Sequence, residues 1–277
     1  MLKLIFSSIF LISQMAIANP MRGKYFSKVI FIVFENTNYS EAMRQPFFKE
    51  LAKTGTNFNN LAAIGHPSQP NYIALTSGST NGVTQNNNVN LNVNHIGDLL
   101  EQGGLSWKVY LDDYPGNCFT GGSYKAYGRK HNPFISFLNV QKNKQRCQSI
   151  VNSSEFYREA KNNSLPSYSF FVPNMNNSGH DTGAAYADKW YRNVYTEYLN
   201  NPELLRDTLI VTTFDENSGA SGNIIYTNFN GGMVRPNLLI TEKLNFYSLI
   251  KLVEENWGLG SLNKGDSTAP SIPFVWQ

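Results

Sequence analysis

The run Lys28-Val-Ile-Phe-Ile-Val-Phe34 is nearly unbroken in β-branched and aromatic residues, the pattern of a strand buried on both faces of a parallel sheet. It stops at Glu35-Asn36. Similar runs cover Trp107 to Leu111, Tyr168 to Val172, Thr208 to Phe214 and Leu238 to Thr241. They alternate with segments of helical periodicity at Ser40 to Lys53, Pro70 to Thr76, Ile96 to Gln102, Ser154 to Asn162, Ala184 to Leu199 and Tyr247 to Trp257. The alternation predicts a single α/β domain over residues 19–277, with a mostly parallel central sheet and helices on both faces. No internal repeat or Pro/Ser-rich linker interrupts it. The Asn-rich piece Gln85 to Asn94 reads as a solvated loop.

Residues 1–18 follow another logic. Lys3 precedes an apolar run from Leu4 to Ile12, and Ala16-Ile17-Ala18 forms a small-x-small cleavage site, the pattern of a secretory signal peptide. The alternative is a membrane anchor, against which Ser7, Ser8, Ser13 and Gln14 break the apolar stretch. No later segment is apolar enough to span a bilayer, so an exported, secreted or periplasmic, protein is expected. Cys118 and Cys147 are the only cysteines. In an oxidising compartment they are expected to pair, the alternative being two buried thiols. Charged residues make up 16% of the chain and the formal net charge is +3, with basic residues scattered. That excludes charge-driven disorder and gives no case for a nucleic-acid partner. No protein partner is predictable from the sequence.

Candidate chemistry lies where apolar runs end, because ligands in open α/β sheets bind beyond the carboxyl ends of the strands. One run leads into Glu35-Asn36 and another into Asp215-Glu216. Brought to one rim, these groups would repel one another unless a cation sat among them, and all-oxygen donors suit a hard divalent ion. The competing reading is that acidic residues simply begin loops. In His66-Pro-Ser-Gln-Pro-Asn-Tyr72, Pro70 suits a first helical turn, which leaves Ser68 just outside a helix N-terminus. It is there either a nucleophile whose oxyanion the helix favours or a plain N-cap. The segment Val172 to Gly183 places His180 and Asp181 on a loop over the same rim, and His66 and His131 also sit in loops.

Together these segments resemble the phosphoesterase family of secreted bacterial and fungal acid phosphatases and phospholipase C-type enzymes, a branch of alkaline-phosphatase-like fold. The resemblance is carried in order by Phe34-Glu-Asn36 with Tyr39, His66-Pro-Ser-Gln-Pro-Asn-Tyr72 with Ser77-Gly78, and Arg129-Lys-His-Asn-Pro-Phe134 inside the Cys118 to Cys147 insertion. It continues through Val172-Pro-Asn174 with Gly179-His-Asp181, Thr213-Phe-Asp-Glu216, and Tyr247-Ser-Leu with Glu254-Glu-Asn-Trp-Gly-Leu259. It implies one divalent metal ion, Ca, Mg, Mn or Zn, on Glu35, Asn36, Asp215, Glu216 and Ser68, with Ser68 as nucleophile and His180 at the phosphate. Asn71 matches an amide that holds a phosphoryl oxygen, while His66, Arg129, His131 and Asp181 are candidates for substrate contact. Ser178 and Phe246 depart from an aspartate and a histidine common in similar sequences, which argues against a complete second metal site. The implied activity is acid phosphatase hydrolysis of a small phosphate monoester through a phosphoserine. The alternatives are a phospholipase C-type phosphodiesterase on the same site and a non-catalytic secreted binding protein.

Overall fold

Every residue of the run Lys28–Phe34 is buried, and it forms the inner strand β1 of an eight-stranded sheet in the computed structural model, which describes residues 22–277. The leader read at 1–18 lies outside the described residues. The other strands are β2 (Thr56–Phe58), β3 (Trp107–Leu111), β4 (Ile150–Asn152), β5 (Tyr168–Val172), β6 (Thr208–Phe214), β7 (Thr227–Asn230) and β8 (Leu238–Ile240). The spatial order is β8-β2-β7-β6-β1-β5-β3-β4. β7 pairs antiparallel with β6 and β2, and the remaining pairings are parallel. The architecture is the expected α/β domain with a mostly parallel central sheet.

The longer helices are α1 (Pro46–Thr54), α2 (Ser68–Ser77), α3 (Ile96–Gln102), α4 (Ser153–Lys161), α5 (Ala184–Val194) and α6 (Phe246–Trp257). They cover both faces of the sheet, as ring contacts from β1 show. Phe34 packs against Phe48 of α1 and Tyr191 of α5 at 5.3 and 5.1 Å between centroids. Phe31 is three residues away and so on the opposite face. It neighbours Phe170, which in turn meets Tyr72 of α2. No described helix is long and apolar enough to cross a membrane.

Three expectations need correction. The helix expected over Ser40 to Lys53 is two pieces, Tyr39–Ala42 and α1, because Pro46 has no N–H to continue a helix and instead starts one. The helix expected from Pro70 begins at Ser68, so Ser68 is its first residue rather than its cap. The helix expected through Leu199 changes to a π-helical turn over Tyr195–Leu199. The Gln85 to Asn94 piece is largely exposed, as expected, yet it is tied down: the Gln69 N–H donates to Asn86 Oδ1 at 2.9 Å, and Leu91 bridges to Phe137.

Cys118 and Cys147 are joined, with Cα atoms 5.5 Å apart. The bridge spans an insertion that holds a short hairpin, Ser123–Tyr124 with Tyr127–Gly128, and the turn Arg129–His131. Cys118→Ser is expected to lower the unfolding free energy by about 2–4 kcal/mol, the usual contribution of a native disulfide. Urea unfolding should show it as a lower midpoint that the reduced wild type reproduces. An unchanged midpoint would mean that the insertion holds itself without the bridge.

Candidate active site

Parallel pairing of β1 with β6 sets Phe34 opposite Phe214, so the next residues, Glu35 and Asp215, emerge side by side at the carboxyl rim. The chain turns at once there. Asn36 takes φ +47°, a left-handed conformation that asparagine tolerates better than most residues. The turn aims the backbone N–H groups of Asn36 and Glu216 at Asp215 Oδ1, at 3.0 and 2.7 Å. Glu35 N–H donates to the Ser178 carbonyl, which ties the loop after β5 to the same rim.

Ser68 enters from α2, which is buried along its whole length and has no polar stripe. Its inner hydroxyls are satisfied within the helix, Thr76 donating to the Tyr72 carbonyl and Ser77 to that of Ile73. Pro67 occupies the N-cap position, and the first-turn Gln69 N–H is met by Asn86 Oδ1 from outside the helix. The Ser68 hydroxyl therefore does no capping. Its Oγ lies 3.2 Å from Glu35 Oε2 and 3.2 Å from Glu216 Oε1. One turn on, Tyr72 shares the helix face with Ser68 and donates its hydroxyl to the other Glu35 oxygen. Glu216 Oε2 meets Nδ1 of the exposed His66 at 2.5 Å, and Nε2 of the buried His131 stands 3.2 Å from Glu35 Oε2.

The electrostatics follow from packing three carboxylates together out of water. Burial pushes Glu35 well above its usual range, and the neighbouring Asp215 charge adds to the effect. Burial and the Glu216 charge push Asp215 up to about 7. Burial raises Glu216 too, with His66 and Ser68 pulling the other way. Burial lowers His131 well below its ordinary value, helped by the positive charge of Lys130, so its ring is neutral. Asn36 Oδ1 and Asp215 Oδ2 are buried without a hydrogen-bond partner. Orphaned oxygens beside crowded carboxylates are what a divalent cation would satisfy, and Glu35, Asn36, Asp215, Glu216 and Ser68 could hold one.

A second group, Glu35, His131 and His180, has donor atoms within 4.8 Å of one another. Lys130 Nζ sits 2.8 Å from His180 Nε2, and an ammonium there opposes a second cation. His180 Nδ1 faces Asp181 Oδ1 at 2.7 Å. The structure thus brings together Ser68, Glu35, Asp215, Glu216, His66, His131, His180 and Asp181. Two candidates are engaged elsewhere. Both ends of the Asn71 amide are taken by loop backbone: Oδ1 accepts from the N–H groups of Ile64 and Gly65, and Nδ2 donates to the carbonyls of Gly65 and Pro67. Arg129 is buried and donates to the Thr120 and Val89 carbonyls and to Asn90. Sequence reasoning missed Tyr72 and Lys130. The first was visible as the residue four after Ser68, and the second lies between two residues that were already candidates.

A carboxyl that holds its proton more tightly folded than unfolded makes stability fall as pH rises between the two values. For Asp215 that window runs from about 4 to about 7. Chelator-treated protein is therefore expected to lose thermal stability across this window, and Asp215→Asn should flatten the decline. An added divalent cation should raise the melting temperature more at the top of the window than at the bottom. Calorimetric scans at several pH values, with and without cation, check this, and a pH-independent cation effect would contradict it.

Comparison with known proteins identifies the family. The Phosphoesterase family model matches residues 35–260. A probable acid phosphatase of Kluyveromyces lactis is 34% identical over 94% of this chain and 65% of its own length, and an acid phosphatase of Aspergillus fumigatus is 35% identical over 92% and 60%. The chain thus spans less than two thirds of these relatives. A phosphatidylinositol-3-phosphatase of Mycobacterium tuberculosis is 32% identical over 91% of this chain and 83% of its own. Among solved structures, a protein of the alkaline phosphatase superfamily from Vibrio parahaemolyticus shares the fold, with a TM-score of 0.61 at 12% identity over 90% of this chain and 71% of that one. From its matched span and its relatives, this chain belongs to the Phosphoesterase family.

Proposed function

We propose that the protein is an exported, metal-dependent acid phosphatase that hydrolyses small phosphate monoesters through a phosphoserine at Ser68. The observation that carries this reading is the Ser68 hydroxyl at the first position of α2, 3.2 Å from each of two buried carboxylates. The helix N-terminus there favours negative charge on the serine oxygen and on a phosphoryl group. Glu35, Asn36, Asp215 and Glu216 would hold a divalent cation, which would supply Lewis acidity to lower the hydroxyl pKa and spread charge on the phosphoryl oxygens. Ser68 Oγ bonds to phosphorus as its proton passes to a neighbouring carboxylate, and the ester P–O bond breaks. The Lys130–His180 pair, whose shared proton lies between Nζ and Nε2 while Asp181 orients the ring at Nδ1, brings a proton to the departing alkoxide. Water then hydrolyses the phosphoserine. The disulfide and the leader-like residues 1–18 support export.

A phospholipase C-type diesterase would need an apolar cleft for acyl chains. Of the aromatics between Tyr110 and Tyr127 that could line one, Tyr110, Tyr114 and Tyr127 are buried in the core and Phe119 packs partly against it, which leaves Tyr124 alone exposed. A binding protein without turnover would have no reason to keep an uncapping serine between two desolvated carboxylates.

Ser68→Ala is expected to stay folded and to lose turnover of a chromogenic phosphate monoester by on the order of 10³-fold or more, as removal of a covalent nucleophile does. Acid-quenched wild type should carry phosphate on the peptide containing Ser68. Prolonged chelation should abolish activity and a divalent ion restore it. A variant keeping a tenth of wild-type kcat would sink the assignment.

A further inference from the structure

We propose that the cleft beside Lys130 receives the alcohol half of the substrate and selects soluble alcohols that carry a second anionic group. This rests on the phosphomonoesterase reading and adds the class of leaving group. The cleft, about 420 Å³, lies between the insertion hairpin and the loop after β5, and is lined by Lys125, Lys130, Met175, Asn176 and Asp181. Its two walls are fixed to each other where Met175 N–H donates to the Ala126 carbonyl at 2.9 Å. It adjoins the reacting serine through a short chain of contacts. Lys130 Nζ touches His180 Nε2, the donor atoms of His180 and Glu35 lie within 4.8 Å, and Glu35 Oε2 is 3.2 Å from Ser68 Oγ.

Its charge is what makes it selective. Among the described residues neither Lys125 nor Lys130 forms an ion pair with a carboxylate, and the carboxylate on the wall, Asp181, is turned to His180. Two ammonium groups without a salt bridge therefore flank the space, that of Lys130 also acting on Glu35 and Glu216. Lys125 stands at the exposed hairpin tip at φ +50°, a conformation usual for glycine or asparagine, so a lysine is kept there at some backbone cost. The apolar lining is limited to Met175 with parts of Ala126 and Tyr127, too little to hold an acyl chain. A leaving alcohol bearing a phosphate or carboxylate fits this cleft; a lipid does not.

Hydrolysis-resistant phosphonates separate binding from turnover. Calorimetric titration of the cation-loaded full chain should find 1,3-propylenediphosphonate bound about tenfold more tightly than propylphosphonate at low salt, the preference shrinking toward a statistical factor of about two near 0.5 M salt. Lys125→Gln, which removes a side chain remote from the reacting atoms, should weaken the diphosphonate by about two- to fivefold, the range for an exposed charge contact, and leave propylphosphonate unchanged. Equal affinity of the two ligands for the wild type, or equal weakening of both by Lys125→Gln, would overturn the proposal. Turnover of p-nitrophenyl phosphate measured in parallel separates the two readings. A protein that hydrolyses it but binds both phosphonates alike keeps the phosphatase and loses the subsite. One that prefers the diphosphonate without turnover does the reverse.

Discussion

Three buried carboxylates crowded at one rim, two of them on the Ser68 hydroxyl, are the constraint around which this part of the molecule is arranged. Each ionised carboxylate out of water is costly unless donors or cations compensate it. The donors come from separate parts of the chain. Asp215 takes backbone N–H groups from the turns after β1 and β6, Glu35 takes the Tyr72 hydroxyl from α2 and faces His131 from the insertion, and Glu216 faces His66 from the loop before α2. Loss of any one segment would strand a charge held by another. The site is in this sense a device that couples the sheet, the serine helix and the insertion.

How much of this could be read from the chain depends on whether a residue's role is local. β1, β3, β5 and β6 are buried almost throughout, so each appears as a run dominated by apolar and β-branched residues, and its boundaries match the sequence pattern. β2, β4 and β7 are only three or four residues long and carry asparagines, which periodicity reads as loop. Asn228 shows why they nevertheless lie in the sheet. It is fully buried, and its Nδ2 donates to the carbonyls of Leu51 and Thr56, partners about 170 residues away that no local pattern can contain.

The same distinction divides the site. Glu35, Asn36, Asp215 and Glu216 follow directly from strand ends, and Ser68 from a helix start. Lys130 could not be assigned because its neighbour Arg129 looks alike in sequence. Only the fold turns the Arg129 guanidinium inward onto loop carbonyls and the Lys130 ammonium onto His180. Asn71 and Tyr72 make a similar pair. They are adjacent on α2 and therefore about 100° apart around the helix, so one fixes the loop over residues 64–67 and the other reaches Glu35.

Ser178 and Phe246 find a physical setting in this charge arrangement. Ser178 is fully buried and its carbonyl accepts from Glu35 N–H, so an aspartate there would set a fourth carboxylate beside three that are already crowded. Phe246 is fully buried at the start of α6, where a histidine would have to find partners among apolar side chains. With serine and phenylalanine in these places, the buried negative charge at the rim is that of Glu35, Asp215 and Glu216, Asp181 being exposed and paired with His180, and the proposed divalent ion together with the Lys130 ammonium matches it. A second divalent ion would overshoot that balance before any substrate arrived. A dianionic phosphate entering a site so balanced is met by the helix N-terminus, by His66 and by His180, groups whose dipoles and protons can answer added negative charge without a further metal.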